Sequence, residues 1–296
     1  LTLTSAQSGG TITGVCGSSI LSKGVCWGST PYPTIDDMHT DEGGGSESYT
    51  SLLTDLSVGI RYYVRAYVTV SEGTIYGEEF SLRTWDNSPI TDIDGNEYST
   101  VLIGDQIWMA ENLRATRFAD GTPIPKVEED TAWAAIVYPG KAYCWYENDS
   151  ASYAATYGAL YNYEAANRGY DSNIPQMVQG VCPDGWHIPD NGEWTLLINY
   201  LGGDEIAGGK LKEAGTTHWQ SPNTGATNES GFSALPGGYR SAYGRFFNLG
   251  LAAYWIHNTM RYTYNDWLFW LYYESNNIRK VRTSITDAYS VRCLKD

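Results

Sequence analysis

Oxygen-bearing side chains are the first chemistry this sequence offers. Asp92-x-Asp94-Gly95-Asn96 has the opening of a calcium loop, yet the spacing is wrong and no Glu closes it at the twelfth position. A tight hairpin turn at Asp94-Gly95 or Gly95-Asn96 is the expectation instead. Asn148-Asp149 ends an aromatic run where the chain should turn. Asn228-Glu229 precedes Gly231-Phe232, where an ion or a side-chain-to-backbone network would hold the loop. The four His are scattered, and no two Cys stand close enough for a metal knuckle. No cofactor is expected, with structural calcium left open. Gly-x-Ser-x-Gly, His-Glu-x-x-His, P-loop and dinucleotide signatures are all absent. The sequence reads as that of a binding protein, not an enzyme.

Aromatic rings carry the stronger signal. The 296 residues include 24 Tyr and 11 Trp against 6 Phe. Tyr and Trp join an apolar face to a polar tip, which suits half-buried loops and surfaces that meet glycans or proteins. Trp255, Trp267, Trp270, Tyr272 and Tyr273 crowd the last third, and the candidate ligand-binding set is Trp255, His257, Asn258, Trp267, Trp270, Tyr272, Asn228, Glu229 and Arg240. Period two puts Trp267, Phe269 and Leu271 on one strand face and Leu268, Trp270 and Tyr272 on the other. One face must be core, and core packing accounts for many of these rings. Arg240 either clamps a ligand or pairs with Glu229 or another acid. The formal net charge of −15 excludes nucleic acid and anionic membrane as partners. No apolar run is long enough for a membrane-spanning segment. Leu1 reads as the inside of a strand, so a mature or trimmed piece of an exported protein is expected.

These residues must be positioned by a scaffold, and its clearest stretch is Cys182 to Gly203. Asp190 is an N-cap, Glu193 completes a capping-box pattern, and Trp194, Leu197, Ile198 and Leu201 form one apolar stripe. Gly202-Gly203 stops that helix. Residues 1–85 read as about seven short strands, at sandwich spacing. Among them are Thr11 to Cys16, Ile20 to Trp27, and Tyr62 to Val70, whose alternation groups Tyr62, Val64, Ala66 and Val68. A polar segment at Trp85 to Pro89 marks the boundary. Beyond it, Tyr143 to Asp149 and Tyr157 to Tyr163 read as aromatic strands, and Thr131 to Ala135 as a helical turn. Residues 231–240, 253–257, 267–273 and 289–293 read as a closing antiparallel sheet.

Two resemblances extend this reading. Leu56-Ser-Val-Gly-Ile-Arg-Tyr-Tyr-Val-Arg-Ala-Tyr67 is similar to the fibronectin type III pattern, with Val58 where that family often has Pro. Gly24-Val-Cys-Trp-Gly-Ser-Thr-Pro-Tyr-Pro-Thr34 resembles its version in Bacteroidetes surface proteins. From Asp92 onward the chain resembles the Fibrobacter succinogenes major paralogous domain. The residues carrying this are Trp108-Met-Ala-Glu-Asn-Leu113, Tyr143-Cys-Trp-Tyr146, Tyr157-Gly-Ala-Leu-Tyr161, Cys182-Pro-x-Gly-Trp-His187, Gly225 to Arg240 and Ser290-Val-Arg-Cys293. That resemblance implies a C-type-lectin-like fold near the formylglycine-generating-enzyme domain, and an exported, cell-surface or outer-membrane setting.

The fold class expected is therefore multidomain. An N-terminal all-β sandwich, fibronectin III/Ig-like, covers 1–85, and a C-terminal α+β C-type-lectin-like domain covers 86–296. The lectin-like resemblance also implies a structural disulfide between Cys182 and Cys293, which would contribute on the order of 4–5 kcal/mol by loop-closure entropy. Cys144 is expected to be a buried free thiol, and Cys16 and Cys26 are a possible second pair. Ser221-Pro222-Asn223 lacks the carboxylate or amide of a calcium-dependent sugar triplet. Adhesion or glycan or surface-protein recognition is the function implied. A structural spacer and an enzyme related to the formylglycine-generating fold are the alternatives.

Overall fold

The computed structural model describes residues 4–14, 19–45, 48–168, 178–258 and 265–296, with the backbone alone for 265–267. The chain is mostly β and divides into two compact units, Leu1–Asp86 and Asn87–Asp296. Among the described residues no helix is long and apolar enough to cross a membrane.

In the first unit two antiparallel sheets share one core. Strand Ala6–Thr11 pairs with Ser48–Leu53, and Met38–His39, Ser22–Gly28, Arg61–Val70 and Gly73–Arg83 form the other sheet in that order. Ala6, Val25, Trp27, Leu53, Leu56 and Val64 fill the space between them. The face expected along Tyr62 to Val70 buries Val64, Val68 and Val70, and Tyr67 of the opposite face is buried as well. Tyr67 is covered on the opposite face by the segment around His39 and Thr40, its hydroxyl donating to Thr40 O at 2.6 Å. Cys26 is a free buried thiol whose Sγ lies 3.3 Å from Pro33 O. The expected partner, Cys16, lies outside the described residues.

The second unit is built around the helix Asn191–Tyr200, which forms as its sequence demands. Asp190 Oδ1 accepts from Glu193 N and Glu193 Oε2 from Asp190 N, both at 2.8 Å, a reciprocal cap that contributes about 1 kcal/mol. The stripe Trp194, Leu197, Ile198 and Leu201 is buried against Trp108, Phe232, Trp255 and Phe269. Trp194 stacks on Phe269 at 4.9 Å and meets Trp108 at 4.9 Å. Exposure of any of these rings would forfeit about 1.5–3 kcal/mol. Cys182 and Cys293 are bonded, across a sequence separation of 111.

The motifs behind the family resemblance converge on this core. Asn112 Oδ1 accepts from Trp255 Nε1 at 3.0 Å and from Arg292 Nη2 at 2.9 Å. The buried Arg292 lies 4.1 Å over the Phe232 ring and donates to Phe232 O. Asn112, Phe232 and Arg292 thus come from three distant motifs and satisfy one another in the interior, where an unpaired polar group would be costly.

Several expectations fail locally: residues 12–14 are not strand, and the expected closing sheet divides, with Gly237–Arg240 and Ala288–Tyr289 in one sheet and Ala252–Ile256 and Asn265–Tyr272 in another. The run Tyr143 to Asp149 is strand only at Tyr143–Cys144, then turns as a short 3-10 segment. Ser150–Tyr157 is a helix capped by the Asp149 side chain on Ser152 N, so the strand expected over Tyr157 to Tyr163 is strand only at Leu160–Asn162. That helix buries no residue fully, so it has no apolar stripe to betray it. Asp92 does hold a turn: its Oδ1 accepts from Asp94 N and Asn96 N, and its Oδ2 from Tyr98 Oη.

Candidate functional site

The hairpin Gly237–Arg240 to Phe246–Leu249 begins the site. Gly244, at φ 87°, closes its turn, with Gly244 N donating to Ser241 O at 2.9 Å. Gly238, at φ 62°, has no room for a side chain, because a Cβ there would lie 2.3 Å from Phe247 O. That close approach lets Tyr239, directly opposite Phe247, stack on it at 5.5 Å with 28° between the rings.

Strand pairing extends the row. Tyr254 stands edge-on to Tyr239 at 5.3 Å. It is opposite Trp270 in the three-stranded sheet and lies nearly parallel to it at 6.1 Å and 10°. Trp270 meets Tyr272 at 5.6 Å, and Tyr272 meets Tyr273 at 4.8 Å. Tyr239, Tyr254, Trp270, Tyr272 and Tyr273 are all half-buried, and Phe247 is 42% exposed. The buried Tyr289, on the strand flanking Gly237–Arg240 opposite Phe247, stacks on Tyr239 at 5.4 Å. Six aromatic rings thus form one continuous strip across two sheets.

Polar groups frame it. Asn248 Nδ2 donates to Tyr254 Oη at 2.7 Å. Burial, with the neighbouring Tyr239 and Tyr272, pushes the Tyr254 hydroxyl up to about 12, so it stays neutral and keeps its proton to donate. Beyond Phe247 the strip opens into a cleft of about 790 Å³ lined by Ser241, Tyr243, Arg245 and Asp287. The Ser241 hydroxyl is buried there without a partner, and so is Trp270 Nε1 within the strip. Asp287 is fully engaged: Oδ1 accepts from Ala242 N at 2.6 Å, and Oδ2 from Thr283 Oγ1 at 2.7 Å and Tyr289 Oη at 3.0 Å. At the opposite end Lys212, completely buried, donates to Thr224 O, Ser275 O and Tyr272 O at 2.9, 3.0 and 3.3 Å.

The expected ligand-binding residues fall into separate places. Trp270 and Tyr272 are in the strip. Trp255 is in the core, because its side of the strand faces the long helix. His257 is also buried, and burial pulls its pKa down to about 3, so it stays neutral. Asn258 bridges to Asp190 through backbone. Asn228 exchanges hydrogen bonds with Ser233, and Glu229 pairs with Lys210 at 2.7 Å rather than with Arg240. Arg240 is no ligand clamp. It is fully buried between Trp133 and Phe246, donating to Val127 O, Glu128 O, Gly244 O and Asp130. Trp267 lies outside the described side chains. Tyr239, Tyr254, Phe247 and Tyr243 went unread because only cross-strand register unites them.

The residues considered for ion binding have other work. Asn223 Nδ2 donates to Glu213 O and Gly215 O, which closes its loop. His187 lies between Asp296 Oδ1 at 2.8 Å and Glu193 Oε1 at 2.9 Å, tying the long helix to the last strand. Among the described residues no group of three His, Cys, Asp or Glu is placed to hold a metal.

A family model described as the Fibrobacter succinogenes major domain matches residues 101–295, most of the second unit and the whole strip. No curated protein and no solved structure matches the chain.

Proposed function

The chain belongs to the Fibrobacter succinogenes major domain family, and we propose that it is an exported cell-surface binding protein whose aromatic strip holds an extended carbohydrate. The observation that carries this reading is the row Tyr272, Trp270, Tyr254, Tyr239, Phe247. Its rings follow one another at 5.3–6.1 Å, on the scale of successive sugar rings, and none of the five is fully buried. Sugar faces are apolar and sugar edges are hydroxyl-rich, so a stacking surface with a polar rim suits them.

Binding is favoured over catalysis by the state of the cysteines. An enzyme related to the formylglycine-generating fold would need reactive thiols, but Cys182 and Cys293 are buried in their bridge. Burial pushes the Cys144 thiol up to about 12, far from a thiolate at neutral pH. The bridge itself suits an oxidising compartment, hence export. In this reading the first unit is a fibronectin III/Ig-like spacer, and the second a C-type-lectin-like α+β domain that it presents.

The test is a glycan array probed with the intact chain, with and without a chelator, beside Tyr239→Ala. Chelator-independent binding to extended glycans that Tyr239→Ala abolishes is expected. Binding that survives Tyr239→Ala unchanged would refute the site, and absence of any ligand would favour a purely structural subunit of a surface assembly.

A further inference from the structure

The strip has cationic groups on it that the rest of the molecule does not lead one to expect. The chain carries 34 acidic against 19 basic residues, so exposed arginines on one aromatic face run against its composition. Arg279 stands directly opposite Trp270 in the antiparallel pair, and Tyr254 stands opposite Trp270 on the other side. Directly opposed residues share a sheet face, so Tyr254, Trp270 and Arg279 make one row across the strip. Arg245 lines the cleft beyond Phe247. Both arginines are exposed, and among the described residues neither has an ion-pair partner.

Neither acid nearby forms an ion pair with these arginines. Asp287, in the same cleft as Arg245, directs its oxygens to Ala242 N, Thr283 Oγ1 and Tyr289 Oη, while its charge remains in the cleft. Glu274, at the strip's other end, accepts from Tyr273 Oη at 2.9 Å. A guanidinium offers a planar fork of donors that matches a carboxylate or sulfate, and it is held in place without a fixed protein partner only at the cost of its rotamer freedom.

Resting on the carbohydrate reading above, we infer that the strip selects an anionic glycan. The rings stack on the sugar faces while Arg279 and Arg245 bind acidic substituents carried at intervals along the chain. The shared chemistry is a repeated oxyanion on a sugar polymer, either a uronic acid carboxylate or a sulfate ester.

Calorimetric titration of the intact chain separates this inference from the reading beneath it. The probes are α- and β-linked uronic acid oligomers, the neutral oligomers in which each carboxylate is reduced to a hydroxymethyl, and sulfated forms of the latter. An acidic oligomer is expected to bind about 10-fold tighter than its neutral counterpart, with the preference fading as salt shortens the screening length. Arg279→Gln and Arg245→Gln should each weaken the acidic oligomer about 3-fold and leave the neutral one unchanged. Trp270→Ala should weaken both. Which anion is preferred identifies the source of the charge. Equal or tighter binding of the neutral oligomer, or arginine substitutions that weaken both alike, would overturn the anionic inference while leaving the strip intact as a sugar site. Failure of every oligomer to bind would overturn both.

Discussion

Replacing Lys212 with Met tests how the strip is held. The side chains are similar in length, so the change removes the ammonium and little else. Lys212 Nζ serves three backbone carbonyls, and Tyr272 O also accepts from Ser275 N at 3.1 Å. The substitution therefore leaves two carbonyls, Thr224 O and Ser275 O, without the donor that Lys212 supplied. Each buried carbonyl stripped of its donor costs about 1–3 kcal/mol. Against this, burial pulls the Lys212 pKa down to about 8, a sign that sequestering the ammonium is itself unfavourable, and Met relieves that. The net expectation is a loss of about 3 kcal/mol, or a fall of about 6–12 °C in melting temperature for a unit of this size. Differential scanning calorimetry reads the loss, and amide exchange at Thr224 and Tyr273, whose backbones pair at 2.8 Å, locates it. A Met variant as stable as the parent, with unchanged exchange there, would show that the ammonium does not organise this end of the strip.

Other consequences follow from the same contacts. Cys293→Ser should cost on the order of 4–5 kcal/mol, read as a lower urea midpoint, because it frees a loop of 111 residues; an unshifted midpoint would contradict this. The His187 cluster should make stability depend on pH. Burial opposes charge on His187, but hydrogen bonds to Glu193 and Asp296 outweigh it and raise its pKa above 6.5. Burial likewise opposes charge on Glu193, yet the bonds from His187 and Asp190 N lower its pKa below 4.5. The histidine's contribution is complete below 6.5 and lost as pH rises through its folded value. The glutamate's is complete above 4.5 and lost as pH falls through its own. The stability difference between parent and His187→Gln should therefore peak between 4.5 and 6.5, and a difference flat across pH would refute the coupling.

What the sequence made legible was local. The long helix could be read because its cap, stripe and stop all lie within Asp190 to Gly203, and each acts on its near neighbours. The disulfide was legible only through resemblance, since nothing local ties Cys182 to Cys293. The helix Ser150–Tyr157 stayed hidden because it rides on the surface without an apolar face. The strip was half legible. Alternation separated Trp270 and Tyr272 from Phe269 and Leu271, but both sets are rich in bulky apolar groups. Only the position of the long helix decides which set is core, and Trp255 goes inward for that reason. Tyr239 and Tyr254 belong to different sheets, and their meeting depends on two registers and the close approach at Gly238.

The central claim is that the strip is a sugar-binding surface, and Trp270→Ala examines it most directly. Trp270 is the middle of the row, half-buried, stacked on Tyr254 and in contact with Tyr272. Titration of the parent and the variant with one extended oligosaccharide selected from the array should show a loss of about 2 kcal/mol, roughly 30-fold in Kd. Thermal stability should change little by comparison. Unchanged affinity in a folded Trp270→Ala protein would place the ligand elsewhere and contradict the account.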